Sequence, residues 1–394
     1  MSVSYWLDTS RSNSAIDVDV CVVGAGVAGA SACYWLAKED PNLSIRLIDK
    51  GAVASGATGR NAGFITCGSV EHFHRLCEFR GKEEALKIWQ FSEENLNLLR
   101  SEIIENCELN IGFEEKGSFS LASTEEELAG LKHTAELMDE FGIHVEMVDE
   151  PGVRSRVGAE DFVGGIKYCD DASVHPVKLV EAILERTSLI AKDFKVLPFH
   201  EVYSIEEQDG RQEIKTQKVT LNCDLVVLGT NAYSKVLFNY FEDKIYPTRG
   251  QILMTEPVAP FMEGPCYANF VLDYFRQLPS GEMIIGGFRQ LQKDSEIGYD
   301  DQTSPVIQSA LEEFLQKHVP AIRGKKITHR WAGIMGFSAD GQPMIGALPA
   351  NNQVYFLGGF TAHGLGLAFH SGKCLTDMIF GREIPEFISA RRFS

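Results

Sequence analysis

The sequence predicts an α/β protein that carries a second, α+β domain built on an antiparallel sheet. Three observations predict it. An apolar strand ending at Val23 runs into Gly24-Ala-Gly-Val-Ala-Gly29 and then a helix to Ala37, the order of a parallel sheet with helical crossovers. A second strand, glycine turn and helix recur at Val354–Phe369, near the other end of the chain. Between them, strands at Gln251–Thr255, Phe270–Leu278 and Glu282–Gly287 follow one another as a meander, without intervening helices.

In the first unit, Gly24, Gly26 and Gly29 have the G-x-G-x-x-G spacing, after a strand and opening a helix. Gly24 permits the tight turn, Gly26 lets the backbone approach a pyrophosphate, and Gly29 lets helix and strand pack closely. The amides at Val27 and Ala28 then face negative charge at the helix N-terminus. Ser44–Asp49 reads as the next strand, and Asp49 ends it 20 residues beyond Gly29, placed to accept from a ribose hydroxyl. A dinucleotide is the expected occupant. A glycine-rich turn without ligand is the alternative; the strand, helix and acid together weigh against it.

With 394 residues, 44% of them hydrophobic, the chain has room for two domains with large cores. It has no apolar run of membrane-span length and no signal-peptide core, so a soluble cytoplasmic protein is expected. A formal charge of −18 without a basic run argues against nucleic acid and allows a mild attraction for cationic amines. Nine scattered cysteines without a C-x-x-C pair point to reduced thiols rather than disulfides or zinc.

Along the chain, residues 1–15 read as a polar leader with Tyr5 and Trp6 as aromatic anchors. Gly51–Gly63, with four glycines and four alanines, is too small-sided for a packed element and is expected to wrap around a cofactor. An amphipathic helix is predicted over Lys82–Cys107, leaving the nucleotide core. A strand follows at Gly117–Ser123, a helix at Glu125–Phe141, a strand at His144–Val148 and a helix at Val177–Ile190 behind Pro176. Short strands are predicted at 194–198, 202–205, 213–216 and 218–221. Leu225–Gly229 reads as a buried strand, which brings Thr230 and Asn231 to the carboxyl edge of the sheet. A helix over Pro305–His318 and a strand over Ile327–Ile334 precede the C-terminal glycine cluster, whose last helix starts at Gly364. His72 and His74 lack a carboxylate or thiol motif to complete a metal site, so no metal is expected.

Taken together, Ser55-Gly-Ala-Thr-Gly-Arg-Asn-Ala-Gly63, Val174-His-Pro176, Gly229-Thr-Asn-Ala-Tyr233, Arg249-Gly-Gln251, Asp340–Gly346 and Gly359–Lys373, in this order after the first motif, resemble the FAD-dependent D-amino-acid oxidase superfamily. The similar branch holds glycine oxidase, sarcosine oxidase and γ-glutamylputrescine oxidase. The resemblance implies a Rossmann-like FAD-binding domain made of 1–80, 145–230 and 330–394, and a discontinuous substrate domain made of 81–144 and 231–329. It implies that Gly24, Gly26 and Gly29 hold the pyrophosphate, Asp49 and Lys50 the adenosine ribose, and Val196 the adenine through its backbone. Arg60, Asn61 and Ala62 would take the flavin side and Gly364, Leu365, Gly366 and Leu367 the pyrimidine edge. Ser55, Thr58, Gly59, Gly63, Gly229, Thr230, Asn231, Gly333 and Gly359 complete the cofactor set.

Three departures from the family pattern matter. Members that attach FAD covalently do so through a Cys near Gly333 or a His near Arg60, so non-covalent FAD is expected. Glycine-oxidase-like members clamp the substrate carboxylate with an arginine near Met335, which favours an amine whose polar groups lie farther from the reacting carbon. Sarcosine-oxidase-like members place an oxygen-activating lysine near Ile284. The reaction expected is oxidation of a primary or secondary amine to an imine that water hydrolyses, with oxygen as acceptor and peroxide as product. His363 would stand nearest the flavin, unless it only caps its helix, and Tyr274 and Arg276 would line the substrate side. Three alternatives stay open: a flavin dehydrogenase serving a quinone or a protein acceptor, a non-catalytic FAD-binding protein, and an NAD-dependent dehydrogenase, which would be colourless.

Overall fold

The computed structural model describes residues 4–6, 15–269 and 272–393; most of the leader expected over 1–15 and the first residues of the strand expected from Phe270 lie outside them. Five parallel strands form the first sheet, in the order Asn351–Gly358, Thr220–Leu228, Ala15–Val23, Ser44–Ile48 and Asp193–Leu197. Ala15–Val23 lies at its centre: Val22 stands opposite Val227 on one side and Leu47 on the other, and all three are fully buried. That two-sided burial is why these strands read as unbroken apolar runs. Met344–Leu348 adds antiparallel at one edge.

The two short strands expected at 218–221 and 225–229 are one strand, Thr220–Leu228. Its first half pairs with the hairpin Val202–Gln208 and Arg211–Thr216, its second half with Asn351–Gly358. The change of neighbour lets polar Asn222 and Asp224 interrupt the apolar pattern without ending the strand.

Helices Val27–Glu39, Pro176–Ile190 and Gly364–Ile379 pack together beside this sheet, and Trp35 Nε1 donates to the Phe369 carbonyl at 2.9 Å. The helix Lys82–Glu102 does not leave this core. Its buried Asn95 donates to the Leu365 carbonyl and accepts from the Phe369 and His370 amides, each at 3.0 Å, which ties it to the last helix. A helix that the sequence reading left unnamed, Val70–Arg80, precedes it and is capped by Ser69.

The second sheet runs Ile327–Ser338, Ile245–Thr255, Met283–Gly286, Asp273–Gln277, Cys266–Ala268, Ser118–Ala122, Gly164–Tyr168 and Val145–Asp149. All its pairings are antiparallel except Cys266–Ala268 with Ser118–Ala122. Strands Val145–Asp149 and Gly164–Tyr168 therefore hydrogen-bond on the substrate side, although the sequence division sets 145–230 with the nucleotide half. Helix Pro305–His318 seals one face, with Leu311 and Leu315 in the same buried cluster as Phe275 and Ile285.

Candidate active site

The carboxyl ends of three adjacent parallel strands, at Val23, Ile48 and Leu228, open into a cavity of about 1320 Å³. This is the crevice where open α/β sheets bind ligands. It runs on past the Ala57–Ala62 loop to the second sheet and ends at the N-terminus of the last helix. The volume exceeds the ~300–1,000 Å³ of a small-molecule pocket, leaving room for a dinucleotide and a substrate together.

At the near end, helix Val27–Glu39 starts at Gly26 without a side-chain cap from that residue. The Val27 amide donates instead to Thr58 Oγ1 at 3.0 Å. Asp49 accepts from the amides of Ala25 and Gly51, both at 2.7 Å, which fixes its carboxylate at the cavity wall. Lys50 Nζ lies 3.6 Å from the centre of the Tyr233 ring.

Halfway along, the small-residue loop is held from several sides. Arg60 donates to Ala332 O (2.7 Å), Asp301 (3.1 Å) and Ser55 O (3.1 Å), and Asn61 bonds Thr58 O and the Gly63 amide, each at 2.7 Å. A Cβ on Gly333 would stand 2.7 Å from Arg60 Cβ, so the two positions that the resemblance sets near covalent flavin attachment adjoin each other and carry neither Cys nor His. Asn231 spends its Oδ1 on the Gly359 amide at 2.9 Å, fastening two strand ends at the cavity wall.

At the far end His363 occupies the N-cap position of Gly364–Ile379 but makes no side-chain cap. Its ring faces that of His72 instead, 5.1 Å between centroids, and both rings line the cavity. Burial, with Arg289 adding to it, pulls His363 down to about 4; burial and the neighbouring His363 pull His72 down to about 3. Both imidazoles are neutral at pH 7. His74 turns away, toward Glu78 at 3.4 Å. Burial likewise pushes Tyr274 up to about 12, leaving a neutral phenol in the wall.

Of the residues singled out from sequence, all reach the cavity wall except Gly29, Gly59, Gly63, Val196, Gly333, Gly359, Leu367 and Arg276. The glycines lie just behind it, where any Cβ would strike a neighbour at 3.0 Å or less. Val196 is paired with Leu47 in the strand ladder; the wall beyond Asp49 is made by His200, Glu201 and Val202 instead. Arg276 is 4% exposed and donates to Val174 O at 2.8 Å beneath Gly63, so it props the loop from behind. His72, Val202, Tyr267 and Arg289 were missed as site residues. Only Arg289 carried a local signal, as the cation after the Gly286-Gly287 strand end.

Fold and site define a dinucleotide-binding protein of two interleaved domains with a buried pocket at the far end of the cofactor cleft. The chain belongs to the FAD dependent oxidoreductase family, whose profile matches residues 19–378. It is 23% identical to gamma-glutamylputrescine oxidoreductase of Escherichia coli over 94% of this chain and 85% of that one. With glycine oxidase of Bacillus subtilis it shares 24% over 93% and 94%. Its fold is that of glycine oxidase from Geobacillus kaustophilus (TM-score 0.78, 22% identity, 94% and 96% covered) and of L-proline dehydrogenase from P. horikoshii (0.79, 20%, 94% and 95%). The protein is an FAD-dependent oxidoreductase. Among the described residues no helix is long and apolar enough to cross a membrane.

Proposed function

We propose that the chain oxidises a primary or secondary amine, or an amino acid derivative, to an imine that water hydrolyses, with FAD bound non-covalently and oxygen as the final acceptor. One observation carries the reading: a single cleft joins two helix N-termini whose own N-cap residues, Gly26 and His363, make no side-chain cap, and ends in a pocket whose imidazoles and phenol are all uncharged. Gly24 to Gly29 would receive the pyrophosphate, Asp49 and Lys50 the ribose, and Val202 the adenine side. The N-terminus at Gly364 would stabilise negative charge at the pyrimidine edge of the ring. FAD supplies the hydride acceptor.

The remaining work falls to the chain's own side chains. Burial and the Arg289 cation disfavour an ammonium in the pocket, so the amine binds neutral, with its lone pair free. His363 and His72 accept a hydrogen bond from its N–H without adding charge, and Tyr267, Tyr274 and Phe64 exclude water around the reacting carbon. No side chain need serve as a strong base. The rate of flavin reduction should therefore show no break near pH 6.5 between pH 5.5 and 8. Its rise toward alkaline pH should follow the amine. A limb near 6.5 that disappears in His363→Asn would contradict this.

The dehydrogenase reading has one specific observation in its favour. Ile284 packs with Ala62 and Ile252, and Lys50, held over Tyr233, is the one lysine lining the cavity among the described residues. Rapid mixing of the reduced protein with oxygen decides. Fast reoxidation with one peroxide per flavin supports the oxidase; slow reoxidation by oxygen with fast reoxidation by a quinone assigns the dehydrogenase.

A further inference from the structure

Three arginines are buried among the described residues, and two of them show how this fold keeps a guanidinium out of water. Arg46 meets Asp193 at 2.9 Å, and Arg249 meets both oxygens of Glu296 with Asp300 beside it. Arg276, the most buried of the three at 4% exposed, has no such partner. Its Nη2 donates to Val174 O at 2.8 Å, while Nε and Nη1 find no acceptor among the described residues. The acid that acts on it, Glu114, is already bonded to Lys116 at 2.6 Å, and its other ionisable neighbour, His175, carries no negative charge. Burial pulls Arg276 down to about 10, so it is still a cation at pH 7. Withdrawing a guanidinium from water without an anion is costly, so a buried cation with two orphan donors calls for a partner charge.

That charge stands directly behind the turn that fronts the middle of the cleft. A Cβ on Gly63 would lie 2.7 Å from Arg276 Nη2 and 2.1 Å from Val174 O, and Gly63 O accepts the Val174 amide at 2.8 Å. Only a residue without a side chain fits there, and Gly63 also has φ +77. On the other side of the turn, Asn61, Ala62 and Phe64 line the cavity. The side chains at this junction are apolar: Ala62, Ile252 and Ile284 form one buried cluster, and Ile284 stands opposite Arg276 in the strand ladder. Such surroundings screen little, so the charge reaches the cleft more strongly than it would through water.

We propose that Arg276 is a positioning residue of the oxidation: from behind the Asn61–Gly63 turn, its unpartnered charge favours the reduced, negatively charged form of the flavin over the oxidised form. Hydride transfer carries one negative charge from the substrate onto the ring, and a cation fixed in place beforehand stabilises it without reorganisation. Arg276 lies behind the wall and does not reach the substrate, so it acts on the rate of flavin reduction and not on which amine binds. The inference rests on the reading of the Asn61–Gly63 turn as the flavin side.

The test is the midpoint potential of the FAD-loaded protein, measured by dye equilibration during anaerobic reduction in wild type, Arg276→Met and Arg276→Lys. At a fixed potential, Arg276→Met should shift the reduced-to-oxidised ratio about tenfold or more toward the oxidised form, ~30 mV for a two-electron couple. Arg276→Lys keeps the charge without the planar fork and should stay within about threefold of wild type. The limiting rate of flavin reduction should fall in Arg276→Met at an unchanged KM. A residue that only props the turn would lower flavin content or the urea midpoint in both variants and leave the potential of the bound flavin unchanged; that result overturns the proposal. So does a potential that falls equally in the two variants. Should Arg276→Met fail to fold, Arg276→Gln, which keeps a donor for Val174 O, makes the same comparison. If the potential is unmoved while amines still bleach the flavin, the charge falls and the reaction stands. If no amine bleaches it while the potential still separates the variants, the reaction falls and the charge stands.

Discussion

Gly29→Ala should yield a protein that retains no FAD and is destabilised by about 3 kcal/mol or more, beyond the usual cost of an added methyl group. The added Cβ would stand 1.9 Å from the Gly24 carbonyl oxygen and 3.4 Å from Leu47 Cδ1. The first of these is backbone against backbone, so no rotamer relieves it. Gly24 cannot retreat either: its amide is bonded to Ile48 O at 2.7 Å and its own Cβ position is closed by the Gly229 carbonyl at 2.8 Å. The helix must lift off the strand, which opens the turn that faces the pyrophosphate. Urea unfolding and the flavin-to-protein absorbance ratio check both parts. Wild-type flavin content in this variant would mean that the turn does not hold the cofactor.

Arg249→Leu is the second large effect, through stability alone. Arg249 donates to both oxygens of Glu296, at 2.9 and 2.6 Å, and to Asp300 at 3.2 Å; Gln251 adds bonds to Glu296 at 3.1 and 3.2 Å. Glu296 is 1% exposed and Arg249 7%. Removing the cation strands a buried carboxylate, at a cost of roughly 3–5 kcal/mol. The double variant Arg249→Leu/Glu296→Leu should recover most of this, because the pair's attraction largely offsets its own desolvation. Urea unfolding of both single variants and the double variant measures the coupling. A loss below about 1 kcal/mol in Arg249→Leu would show that water reaches Glu296.

The parts legible in the sequence are those fixed by backbone chemistry. Gly24, Gly26, Gly29 and Asp49 were readable because a turn, a close approach and a strand end each demand one residue type at one spacing. The strand Ile245–Thr255 was legible only from Gln251, because Pro247 and Gly250 break the pattern. Pro247 is tolerated since its missing N–H costs no bond there. On the side away from Ile327–Ser338 that half of the strand meets only the Glu296–Gly298 segment among the described residues: the Gly298 amide donates to Pro247 O at 3.1 Å and the Arg249 amide to Glu296 O at 2.7 Å, and Met283–Gly286 pairs only with the far half. Helix Val70–Arg80 was hidden for a related reason. It buries Glu71 and turns His72 into the pocket, so its polar residues do not mark its outer face. Val196 faces the ladder beside Leu47 while Val202, at the start of the next strand, reaches the cavity wall, a difference of placement that strand propensity alone does not reveal. His72 and Arg289 meet His363 only through tertiary packing, which periodicity does not encode.

One measurement bears most directly on the cleft as a site of amine oxidation: an anaerobic titration of the purified yellow protein with a panel of amines and amino acids, followed at the flavin absorbance. Bleaching by at least one of them, at one equivalent per flavin and with an aldehyde or keto product, is the expected result. A protein that binds FAD stoichiometrically but is bleached by dithionite alone, and by no amine or amino acid, would contradict it and leave the flavin a structural group.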